Sequence, residues 1–94
     1  MSDEGWTWKL SERAANGLEA LDSETQQRIL DKFDAVVSDE FRDPPEFAKP
    51  LTGTRPWRTL RIGDYRAIVR FDRRTRSMEI GAVGHRSSIY DEFP

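Results

Sequence analysis

From its first aromatic residue the chain alternates, with Trp6, Trp8 and Leu10 on one side and Thr7 and Lys9 on the other. A period of two predicts a short half-buried strand. Ser11 then offers an N-cap with Glu12 in the first turn, and Ala14, Leu18 and Leu21 recur at helical spacing. Gly17 weakens this helix and keeps it short. Ser23 and Gln26 read as a capping box for a second helix. Its apolar stripe, Ile29, Leu30, Phe33, Val36 and Val37, carries it to about Ser38. Leu21-Asp22 is too short a link for anything but two adjacent helices, an αα-hairpin. A loop follows, punctuated by Pro44-Pro45, Pro50, Gly53 and Pro56.

The second half reads as strands. Trp57–Ile62 and Tyr65–Phe71 flank Gly63-Asp64, a two-residue hairpin signal, and Ser77–Gly84 makes a further strand after the polar turn 72–76. The order βααβββ predicts one α+β domain over residues 1–94. In it, the helix hairpin covers one face of a largely antiparallel four-stranded sheet.

A two-residue loop fixes the pairing: Ile62 faces Tyr65, Arg61 faces Arg66, and Leu60 faces Ala67. Carried across the next turn, it sets Phe71 opposite Met78 and Arg70 opposite Glu79. Alternation then assigns Leu60, Ile62, Tyr65, Ala67, Val69, Phe71, Met78, Ile80 and Ala82 to the face beneath the helices. Trp57, Thr59, Arg61, Arg66, Ile68, Arg70, Gly81, Val83 and His85 fall on the other, open face. Like charges across a ladder destabilise it by about 0.2–1 kcal/mol. The Arg61–Arg66 pair is therefore what an anion site calls for, since a bound phosphate reverses the sign of the interaction. The alternative is two guanidiniums splayed into solvent. Arg70, opposite Glu79, has a structural partner as well as a binding role open to it.

Charge sharpens the picture. The net charge of −2 is polarised: residues 1–48 carry 5 Lys/Arg against 12 Asp/Glu, whereas residues 49–94 carry 10 against 5. Such separation points to a polyanionic partner. Arginine outnumbers lysine by 12 to 3, and arginine is the better planar phosphate ligand. The chain has no cysteine and one histidine, which argues against a disulfide framework and against a zinc site. Asp31, Asp34, Asp39 and Glu40 read as a solvated helix face and not as metal ligands. No apolar run is long enough to span a membrane, and the acidic start Met1-Ser2-Asp3-Glu4 is unlike a secretory signal. A cytoplasmic domain without metal or cofactor is expected. Trp6, Trp8, Phe33 and Phe71 read as core.

Three segments carry a family likeness. Lys49-Pro50-Leu51-Thr52-Gly53, the run from Trp57 through Arg61-Ile62-Gly63-Asp64-Tyr65-Arg66, and Gly84-His85-Arg86-Ser87-Ser88-Ile89-Tyr90 together resemble the RelE/ParE toxin superfamily in its RelE-like branch. The resemblance implies the toxin of a toxin–antitoxin pair that enters the ribosome and cleaves messenger RNA without a metal. In such cleavage the ribose 2′-OH attacks and leaves a cyclic phosphate. It implies a cognate antitoxin as partner, with operator DNA reached only through that antitoxin. Arg66 matches the family's arginine after the hairpin tyrosine, Arg61 a basic residue on the preceding strand, and Arg86 and Tyr90 the C-terminal catalytic pair. Lys49 falls near a loop that is basic in many members. One position departs from the pattern: some members carry a second basic residue two positions before that of Arg61, and here it is Thr59. Members of the ParE branch share the fold and inhibit DNA gyrase without catalysis. That alternative stays open, as does an inactivated RNA-binding homologue.

Internal attack on RNA needs a proton acceptor, charge stabilisation at phosphorus and a proton for the departing 5′-oxygen. Arginine stays charged near neutrality, so Arg61, Arg66 and Arg86 are assigned to stabilising the phosphorane-like transition state. A protonic role for Arg86 remains open from the resemblance. Histidine titrates near neutrality, and strand parity sets His85 on the basic face, which makes it the candidate for proton transfer. Its alternative is a hydrogen bond closing a strand end. Tyr90 can act as a base, stack on RNA or plug the sheet edge. Lys49, Arg58 and Arg70 complete the set as RNA-binding candidates.

Overall fold

The computed structural model describes residues 5–92; the acidic start Met1–Glu4 lies outside the described residues. The first strand, β1 (Thr7–Leu10), runs straight into the cap of α1 (Glu12–Glu19). Ser11 Oγ accepts from the Ala14 amide at 3.0 Å and donates to the Gly81 carbonyl at 3.0 Å. One side chain thus starts the helix and ties it to the sheet. Gly17 has a second function beyond limiting helix length. A Cβ there would lie 2.4 Å from the Val83 carbonyl oxygen, so its absence lets α1 sit against the sheet backbone.

Helix α2 (Ser23–Ser38) ends where expected but begins differently. Asp22, not Ser23, is the N-cap. Its carboxylate accepts from the Thr25 amide and hydroxyl, while Gln26 reaches back to the Leu21 carbonyl. A carboxylate accepts from the helix N-terminus at least as well as a hydroxyl, so the cap falls one residue earlier. Ile29, Phe33 and Val36 point from α2 into the core. Asp34, expected to be a solvated acid, accepts from the Trp8 indole N–H at 2.8 Å, beside the packed rings of Trp8 and Phe33.

The proline-rich loop holds two features the pattern concealed: a single 3-10 turn (Pro44–Phe47) and a two-residue edge strand, β2 (Lys49–Pro50). The remaining strands are β3 (Arg58–Ile62), β4 (Tyr65–Asp72) and β5 (Ser77–His85), followed by a short helix, α3 (Ile89–Glu92). The sheet has five strands in the order β1-β5-β4-β3-β2, not four, and β1 runs parallel to β5. Two residues of Lys-Pro composition carry no strand periodicity, so β2 is invisible to pattern reading.

The hairpin register is as expected: Ile62 pairs with Tyr65, Arg61 with Arg66, and Leu60 with Ala67. Phe71 with Met78 and Arg70 with Glu79 also hold. Beyond Val69–Ile80 the ladder slips by one, and Ile68 pairs with Ala82. Gly81 is the extra residue of a β-bulge. The slip reverses the parity of everything after it. Val83 joins the main core under the helices, whereas Ala82 turns to the opposite face. His85 pairs with Tyr65 and packs edge-on against its ring, with centroids 5.4 Å apart, on the helix side of the sheet. Its expected place on the basic face is therefore wrong.

Nor is that second face fully open. Ile68, Ala82 and Ile89 are buried there as a small separate cluster, with Leu51 and Trp57 packed against it. Gly84 permits this lid, since a Cβ at Gly84 would come 3.1 Å from the Ile89 side chain.

Candidate functional site

The uncovered part of the second face is a cleft of about 310 Å³ between the hairpin and α3. Lys49 from β2, Arg61 from β3, Arg66 from β4 and Tyr90 from α3 line it together. None of its described lining residues is acidic. Four of the residues singled out from the sequence thus meet in one place.

Each arrives by a different route. The ladder sets Arg61 directly across from Arg66. Arg66 is only 9 % exposed, and its Nη1 donates to the carbonyls of Gly63 at 2.8 Å and Tyr65 at 2.7 Å. Gly63 adopts φ +61°, the left-handed conformation that a tight hairpin requires and glycine allows. The turn therefore holds one nitrogen of the guanidinium and leaves Nε and Nη2 for a ligand. Arg61 is exposed and extends along the cleft's outer wall. Lys49 pairs with Thr59 across the β2–β3 ladder. A lysine on the neighbouring strand thus stands beside the one position where the second basic residue is missing. Tyr90 is 45 % exposed and is carried by α3, which Ile89 anchors.

Other candidates are placed elsewhere. His85 Nδ1 accepts from the Ser87 amide at 3.1 Å and lies 2.9 Å from the Ser87 hydroxyl. It closes the strand end, the structural alternative considered for it. Arg86 is exposed, turns toward Asp64 with 3.9 Å between Nε and the carboxylate, and donates its amide to the Asp64 carbonyl. It borders the hairpin tip without lining the cleft. Arg58 donates to the carbonyl of Ala48 at 3.1 Å and Pro45 at 3.5 Å, bracing the 3-10 turn against the sheet. Arg70 forms a 2.6 Å ion pair with Glu79 and lies over the Trp57 ring at 5.0 Å, away from the cleft. Thr59, Leu51 and Thr52 line the cleft and carried no chemical signal in the sequence.

Residues 8–90 match the family profile of the ParE toxin of type II toxin–antitoxin systems, parDE. The chain belongs to this toxin family. Solved structures share the toxin's fold at low identity. A chain of the RelBE2 toxin–antitoxin complex of Mycobacterium tuberculosis is 24 % identical with a TM-score of 0.72, covering 86 % of the toxin and 98 % of that chain. An E. coli RelE mutant in the free state is 21 % identical with a TM-score of 0.67, over 94 % of the toxin and 93 % of that chain. A chain of the chromosomal ParDE system of P. aeruginosa is 16 % identical with a TM-score of 0.65, over 89 % and 98 %. No curated protein matches the sequence. Among the described residues no helix of the toxin is long and apolar enough to cross a membrane. The neighbours carry both RelE and ParDE names, so their common fold leaves the choice of target to the chemistry of the cleft.

Proposed function

We propose that this toxin is a RelE-like endoribonuclease that cleaves messenger RNA on the ribosome without a metal and so inhibits translation. The observation that carries the reading is the meeting of Arg61, Arg66, Lys49 and Tyr90 around one cleft with no carboxylate among its described lining residues. Two adjacent guanidiniums form a preorganised site for the extra negative charge that develops on a phosphate under attack. The bond from the ribose 2′-oxygen to phosphorus forms as the bond to the 5′-oxygen breaks. Arginine does not exchange its proton at neutral pH. Tyr90 is assigned to removing the 2′-proton and the Lys49 ammonium to protonating the departing 5′-oxygen. His85 is withdrawn from the proton-transfer role, because it faces Tyr65 on the other side of the sheet. Arg86 borders the hairpin tip beside Asp64 and does not line the cleft, and its role is auxiliary.

The partners on this reading are the ribosome, messenger RNA and a cognate antitoxin in the cytoplasm, with operator DNA reached through the antitoxin. The test is purified toxin with mRNA-programmed ribosomes. The expected products are fragments with 2′,3′-cyclic phosphate ends, lost in Tyr90→Phe. Intact mRNA overturns the reading.

A second reading, non-enzymatic inhibition of gyrase, is favoured by one observation: His85 and Arg86 do not line the cleft. It predicts intact mRNA together with trapped gyrase–DNA complexes.

A further inference from the structure

Beyond the cleft, the toxin has a second basic hollow of about 400 Å³ where β3 begins and β4 ends. Arg55, Arg58 and Arg73 line it, with Trp57 and Phe71 as its aromatic surface and Pro50 as part of its wall. Pro50 also lines the cleft that holds Lys49, Arg61, Arg66 and Tyr90. The two hollows therefore lie on either side of the two-residue strand β2 and share one rigid residue.

The charges in this second hollow are partly engaged. Arg73 pairs with Asp43 at 2.9 Å, and both partners are solvent-accessible. Arg58 uses Nη1 on the carbonyls of Ala48 and Pro45. Arg55 is exposed and makes no hydrogen bond or ion pair with any described residue. Among the described residues three guanidiniums thus face one carboxylate, a positive excess. Nothing in the fold requires Arg55, and Arg73 is tied only to a surface acid.

We infer that this hollow is a second phosphate station, which holds the same RNA strand one or more nucleotides away from the cleavage cleft. The inference rests on the RNA-cleaving reading above and adds the path of the strand. Three arguments favour a nucleic-acid strand over an acidic peptide. The two basic hollows share Pro50 in their linings, so a regularly charged polymer passing round the β2 edge meets both. All three cations are arginines, whose planar forks match phosphate oxygens. Trp57 and Phe71 offer apolar ring surface beside them, the combination that single-stranded nucleic acid uses.

The test is equilibrium binding of 2′-O-methyl RNA, which the toxin cannot cleave, to intact toxin as salt is varied. A dinucleotide fills the cleft alone, and a longer oligonucleotide spans both hollows. Each phosphate contact on a single strand contributes a slope of about 0.7 in log K against log salt. The Arg55→Ala/Arg73→Ala double variant is expected to lower the slope for the longer oligonucleotide by about 1.4 and to leave the dinucleotide unchanged. Arg55→Lys/Arg73→Lys should restore most of the slope, since lysine keeps the point charge. An unchanged slope in the alanine variant overturns the inference and leaves the cleavage reading standing. So does a loss confined to an acidic peptide of equal length. Failure of the unaltered toxin to bind the longer RNA more tightly than the dinucleotide also overturns the inference, whereas the cleavage reading stands or falls on the assay with mRNA-programmed ribosomes.

Discussion

Arg61 and Arg66 face each other across the β3–β4 ladder, yet the fold treats them differently. Arg66 is buried and tied to two hairpin carbonyls, whereas Arg61 is exposed and has no hydrogen bond or ion pair with a described residue. One arginine belongs to the structure as well as to the site. The other lines the cleft without any such tie to the described fold.

That asymmetry separates stability from activity. Arg66→Ala removes the partner of the Gly63 and Tyr65 carbonyls and should cost about 1–3 kcal/mol. Arg61→Ala relieves a like-charge pair and should leave stability unchanged or raise it by about 0.2–1 kcal/mol. Both should lower RNA cleavage, by about 10²–10³-fold for loss of one charge-stabilising group. Urea unfolding beside a cleavage assay checks the two arms.

Gly17→Ala should destabilise the toxin although alanine is the better helix former by about 1 kcal/mol. The added Cβ would meet the Val83 carbonyl oxygen at 2.4 Å, so α1 must lift from β5. Overpacking of this kind costs about 1–3 kcal/mol, which outweighs the gain in propensity. Thermal unfolding of the single variant gives the sign.

Much of this arrangement was legible in the sequence, and the failures have physical causes. The hairpin register followed from a two-residue turn at Gly63-Asp64, where chain geometry permits little else. That register alone made Arg61 and Arg66 neighbours. The bulge at Gly81 was not legible from alternation, because one unpaired residue leaves the apolar pattern Ile80, Ala82 intact while turning Ala82 and His85 over. A glycine within a strand was the available signal. The pairing of Lys49 with Thr59 was hidden for a different reason. It depends on an edge strand of two residues, held by β3 and not by its own sequence preference.

Ile89 couples the second small core to Tyr90. Ile89→Ala should cost stability toward the low end of the range of about 2–5 kcal/mol for such truncations, because its buried cluster is small and the site can partly collapse. It should also reduce cleavage about as much as Tyr90→Phe, since α3 loses its anchor over Gly84, Ile68 and Ala82. Parallel stability and activity measurements on the two variants test this coupling.

Acid should weaken the fold through two loop carboxylates. The Thr25 hydroxyl and then the Thr25 amide hold Asp22 below the usual carboxylate range, and the amides of Phe41 and Arg42 do the same for Asp39. A carboxyl with a depressed folded-state value contributes stability above its unfolded value of about 3.9, and that contribution is lost as pH falls through the folded value. Urea midpoints should therefore fall below about pH 4. Asp22→Asn/Asp39→Asn should show a shallower fall over the same window.

The most direct measurement is the mapping of transcript ends after brief induction of the toxin beside its Arg61→Ala variant. If the paired arginines stabilise a phosphate under attack, the toxin produces new ends within translated codons and the variant, although folded, produces few. Intact transcripts with the toxin, or the same ends at the same level with Arg61→Ala, would contradict the account.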